Sequence, residues 1–143
     1  MSYFDEIAIN RRVQSAFDTS LFPDTYIEYT GGEAMDWQRF NHCIRVNTSG
    51  NGKNEIIGHS ASHYVEEVQG TVIVECMSTN YWTSRKMADH IAAILSLFRD
   101  VQLHTLSASV INDGEIDNKR YKSRVIVPYS SFRTSERSSK INS

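Results

Sequence analysis

Two histidines four residues apart, His59 and His63 in the segment HSASH, are the pair whose spacing comes nearest to a metal site. On a helix, that spacing would bring both imidazoles to one side, as a zinc site needs. The surrounding residues argue against it. No glutamate stands beside His59, Gly58 and two serines are poor company for a stable helix, and no third ligand lies nearby in sequence. Cys43 and Cys76 form no CxxC pair and fall in predicted strands, so they read as buried thiols of a reducing compartment rather than a disulfide. Ser, His and Asp all occur, but without a G-x-S-x-G elbow. The GNGKN segment ending at Asn54 has the composition of a phosphate loop without its pattern, and there is no dinucleotide fingerprint. His42 and His104 sit on predicted strands, and His90 borders an apolar helix face as a partly buried structural residue. The expectation is a protein with no catalytic residues, no metal and no cofactor, hence not an enzyme.

The bulk numbers fit that expectation. The chain has 143 residues, enough for one domain with a core, and a formal net charge of −2. It therefore lacks the global basic field of most sequence-reading DNA binders. No apolar run approaches the roughly 18 residues of a membrane span. The start MSYFDEIA has neither the basic region nor the apolar segment of a signal peptide.

The element that organises the rest is the segment from Gly70 to Arg99. Thr71–Met77 is rich in β-branched residues and reads as a buried strand. A helix follows from about Thr83, with Met87, Ile91, Ile94, Leu95 and Phe98 on one face and Arg85, Asp89 and Ser96 opposite. Before it, Phe4 to Phe17 reads as a helix with the stripe Ile9, Val13, Ala16, Phe17 and a second patch of Phe4, Ile7 and Ala8. Phe22-Pro23-Asp24 is a turn. Thr25–Thr30 and Trp37–Val46 read as strands; in the second, Phe40, His42, Ile44 and Val46 share a face. Residues 47–69 form a long loop or a hairpin arm whose first half holds no core residues. Val101–Val110 and Lys119–Tyr129 read as the last strands, with a turn at the Asp113-Gly114 pair and an end at Pro128. Residues 130–143 read as a flexible polar tail. The prediction is α+β: a small mixed or antiparallel sheet of about four to five strands, with two helices packed on one face, in the order α-β-β-β-α-β-β. Residues 1–129 make a single domain.

These features together resemble the tail terminator proteins of long-tailed, lambda-like siphophages. The resemblance rests on the helix with Ile9, Val13 and Phe17, the Phe-Pro turn, and Trp37 ahead of a strand ending Ile44-Arg45-Val46. It continues with Gly70 opening Thr71-Val72-Ile73-Val74-Glu75, a helix with Ala88-Asp89-His90-Ile91 at its middle, and the ending Val125-Ile126-Val127-Pro128-Tyr129. It spans roughly residues 3 to 130. The sequence departs from the common pattern at Met77–Trp82, which carries aromatics where many relatives have a glycine-rich turn.

The resemblance implies a structural protein that forms a homohexameric ring on the head-proximal end of the tail tube. Such a ring stops tube polymerisation and joins the tail to the head connector. Its partners are copies of itself, the tail tube protein and the connector or stopper. Double-stranded DNA passes through the lumen without sequence-specific binding, and no membrane is involved. The protein would reside in the virion neck after assembly in the host cytoplasm. The alternatives are another neck or head-completion protein and, from a different class, a small metal-dependent hydrolase. Candidate partner or subunit contacts are the Phe4 and Ile7 patch, the boundary aromatics Trp37, Tyr81 and Trp82, and the tail residues Phe132, Arg133 and Arg137.

Overall fold

Met87, Ile91, Ile94 and Leu95 are spaced to make one apolar helix face. In the computed structural model, which describes residues 3–28, 40–49, 54–59, 63–100, 103–117 and 120–136, all four are buried. They lie on helix α2 (Tyr81–Leu95). Asn80 starts this helix, its side chain accepting the Thr83 N–H at 3.1 Å, a capping role suited to a short polar residue. The end is closed from outside. The Thr105 hydroxyl donates to the Leu95 carbonyl and accepts the Phe98 N–H at 2.7 Å. Leu97 follows with φ of 55°, the left-handed residue that commonly stops a helix, here without the glycine that usually fills it.

Helix α1 (Tyr3–Ala16) sets Ile9 and Val13, with Phe17 just beyond it, into the same apolar cluster as α2 and the strands. Both helices therefore cover one face of the sheet. The strands are β1 (Thr25–Glu28), β2 (His42–Ser49), β3 (Asn54–His59), β4 (His63–Ser78), β5 (Leu103–Thr105), β6 (Ser109–Asp117) and β7 (Arg120–Glu136). The sheet path is β1-β2-β4-β7-β5, with β3 also on β4 and β6 also on β7. Only β1 and β2 run parallel; the remaining pairs are antiparallel. The α+β class, the two helices on one face and the α-β-β-β-α-β-β order all hold. The strand number rises to seven because residues 47–69 supply β3 and the first part of β4, and the predicted strand 101–110 divides into β5 and the start of β6.

Register separates the two faces. Val72, Val74 and Cys76 of β4 lie opposite Thr48, Val46 and Ile44 of β2 and opposite Val127, Val125 and Ser123 of β7. Apart from Thr48, whose side chain is not described, and Ser123, these residues belong to the helix-packed core. The intervening positions carry the charged side chains.

Three local expectations need correction. Asp113-Gly114 does not make the hairpin turn. Gly114, with φ of 74°, sits at a register shift inside β6, so its conformational freedom serves a bulge. Pro128 does not end its strand. Its carbonyl accepts the Leu106 N–H at 2.8 Å, so its nitrogen, which carries no proton, points the same way, into the gap between β5 and β6. No ladder hydrogen bond to β4 is lost, and β7 continues. Residues 130–136 are consequently not a free tail, because they pair with Gln69 back to His63. The remaining tail residues, 137–143, lie outside the described residues.

Candidate interaction surfaces

Cys43, Cys76, His42, His90 and His104 are held in structural roles. His59 and His63 stand at facing ends of the neighbouring strands β3 and β4, not on a helix. Burial pushes the Cys43 thiol up to about 12 and raises Cys76 as well, which keeps both protonated and poor nucleophiles. Among the described residues, no group of three His, Cys, Asp or Glu is placed to hold a metal ion.

Sequence reading missed one constellation. Asp24, His42 and Ser78 converge from β1's entry, β2 and the end of β4, which the β1–β2 and β2–β4 registers bring together. His42 Nδ1 lies 2.9 Å from Ser78 Oγ. The resemblance to a catalytic triad stops there. The Asp24 carboxylate accepts the Asn41 N–H at 3.0 Å, and Ser78 Oγ accepts the Asn80 N–H at 3.0 Å. Ser78 is fully buried, so the hydroxyl ties β2 to the start of α2 and is closed to a substrate. Burial lowers the His42 pKa against the raising effect of Asp24.

The helix-free face carries a row of alternating charge across five strands. Glu28, Arg45, Glu75 and Arg124 are successive register partners on β1, β2, β4 and β7. Arg45 Nε donates to Glu28 at 3.1 Å, and Lys122 Nζ lies 3.4 Å from Glu75. Arg124 reaches Asp113 of β6 at 2.7 and 3.1 Å. Burial alone would lower the Arg45 pKa, but the hydrogen bond and charge of Glu28, with Glu75 beside it, leave it raised. Three acids and three bases satisfy one another, so the row has no charge left over for a ligand.

The partner candidates fall into three groups. Tyr81 and Trp82 begin α2, with rings edge-to-face at 5.0 Å; Tyr81 also meets Tyr121 at 5.9 Å and accepts from Asn112 at 2.6 Å. Tyr81 is thereby tied into the domain, whereas Trp82 is 66% exposed. Ile7 is half-buried and lines an open groove of about 860 Å³ between α1 and the segment after α2. Phe4 is on α1, but its side chain is not among the described ones. Phe132, expected in a tail, is half-buried on β7 with its ring 5.9 Å from His104. Arg133 follows opposite Glu66 in the ladder. Trp37 and Arg137 lie outside the described residues.

Further exposed apolar side chains include Leu97, Leu106 and Ile116. Leu97 and Leu106 are 65% and 56% exposed and joined by a backbone hydrogen bond of 3.2 Å. Ile116 stands out near the far end of β6. No described helix is long and apolar enough to cross a membrane.

No protein-family model and no curated protein matches this chain. Among solved structures, it is similar to a chain of the virion of a native gene transfer agent particle. The TM-score is 0.53 at 9% identity, and the match covers 90% of this chain and 94% of the other. At that identity the likeness establishes a shared fold.

Proposed function

We propose that this protein is a structural component of a phage or phage-like virion and acts by assembly rather than catalysis. The observation that carries the reading is the fold likeness, which takes in nearly the whole of both chains, to a component of a gene transfer agent virion. Two features support it. Cys43 and Cys76 are buried, His42, His90 and His104 are committed to structural contacts, and exposed apolar residues stand at both ends of α2, as a subunit with several neighbours requires.

The specific role proposed is the tail terminator: six copies closing into a ring on the head-proximal end of the tail tube, halting its growth and meeting the head connector. Double-stranded DNA threads the ring without being read. The protein is made in the host cytoplasm and ends in the virion. Residues beyond the last strand, with Arg137 among them, are proposed to meet the tube or the connector. Negative-stain electron microscopy of tail tubes grown with and without the protein tests this role. Tubes of bounded length carrying a ring at one end support it. Tubes of unchanged length and no bound protein would overturn the terminator role, and density only at the head vertex would assign it to another neck position.

A further inference from the structure

The two ends of α2 face different surroundings, and their chemistry is complementary. At the C-terminal end lies the groove whose lining includes Ile7, Ala8 and Phe98 together with Arg11, Arg12 and Asp100. Arg12 is engaged there: its Nε donates to the Ile94 carbonyl at 3.4 Å and its guanidinium sits 5.2 Å from the centre of the Phe98 ring. Arg11 is exposed and forms no ion pair with a described residue. The groove thus has an apolar floor and an available cation. At the N-terminal end, the Asn112–Tyr81 hydrogen bond anchors β6 beside the first turn of α2, and β6 runs on toward its hairpin with β7. Its last residues are Glu115, Ile116 and Asp117, an apolar residue between two acids, and both Glu115 and Ile116 are exposed. Asp113, by contrast, is already held by Arg124. The helix separating the two patches is about 22 Å long.

We infer that the exposed Glu115-Ile116 pair of one copy docks into the Arg11–Phe98 groove of the next. The inference rests on the ring reading and specifies its subunit contact. One occupant follows from the charges: an apolar side chain, Ile116, for the floor, with the Glu115 carboxylate beside it for Arg11. Both belong to this chain, one beside each end of α2. A contact between two different patches is heterologous, and repeating it builds a ring when the rotation closes and a filament when it does not. Placing opposite charges around an apolar centre also selects the correct register against slipped ones.

Sedimentation velocity on the full chain, at low ionic strength and over a concentration series, provides the test. The proteins are wild type, Arg11→Glu, Glu115→Arg and the two changes combined. Each single reversal is expected to weaken association by about tenfold, and the combined variant to recover most of it. Thermal melting confirms that each is folded; if one is not, Arg11→Gln or Glu115→Gln takes its place with a smaller expected loss. Single variants that associate like wild type, or a combined variant no better than either single one, would overturn the contact while leaving the ring standing. Wild-type association that grows without limit would keep the contact and overturn the closed ring. A wild type that stays monomeric throughout would overturn both.

Discussion

The β4–β7 ladder passes through two settings. Its inner length, about Val72–Ser78 against Tyr121–Val127, lies under α1 and α2. Its outer length, His63–Gln69 against Ser130–Glu136, is the same antiparallel pairing without that helix-packed cluster. On the inner length every second residue is an apolar or small side chain facing the helices. On the outer length Val68 and Ser131 are buried, while Val65, Glu66, Glu67 and Phe132 are half-buried. The difference teaches that one strand can be held by burial at one end and by backbone pairing with edge contacts at the other.

The largest expected effect is on the inner length. Ile91→Ala should destabilise the protein by about 2–5 kcal/mol in chemical denaturation, because Ile91 is fully buried in the shared cluster. Phe132→Ala, on the outer length, should cost about 1 kcal/mol for the lost contact with His104. Equal costs would erase the distinction between the two lengths. Hydrogen exchange sharpens it: amides of residues 72–76 and 123–127 should open only with global unfolding, those of 64–68 and 131–135 well before.

The helix-free side of the inner length allows a smaller test. Glu28→Gln removes the carboxylate that Arg45 holds at 3.1 Å, and should cost about 1 kcal/mol, less at high salt. A larger loss would mean that the charge row, not the helix side, secures the inner length. The smallest effect is on pH dependence. His42 has its folded pKa lowered by burial, so folding favours the neutral ring. Its contribution is complete above the unfolded value of about 6.5 and is lost as pH falls from there toward the folded pKa. The melting temperature should fall between pH 7.5 and pH 5.5, and His42→Gln should flatten that dependence; an unchanged slope would remove His42 from the account.

Much of the inner length was legible in the sequence. The β-branched run Thr71–Val74, the spacing of Met87, Ile91 and Leu95, and the stripe Ile9, Val13, Phe17 each register because a second layer covers them. The outer length was legible only in part. Residues 47–69 stood open between a loop and a hairpin arm, and β3 pairs with β4 there; residues 130–136 hold few side chains that need burial, so composition read them as tail, although their backbone pairs with β4. Pro128 misled for a related reason. A proline ends a strand only where its nitrogen faces a partner, and the break between β5 and β6 is visible only in three dimensions. The Asp24–His42–Ser78 cluster depends on register in the same way. Of the proposed contacts, the exposure of Trp82 was not legible, because an aromatic at an element boundary reads first as a core anchor, and the groove beside Arg11 required the packing of α1 on α2.

Native mass spectrometry of the purified protein, alone and bound to tail tubes, tests the proposed ring-forming role most directly. A ring predicts a discrete species of six 16.3 kDa copies with no larger series. A protein that remains at the mass of one chain, both free and on the tube, would contradict it.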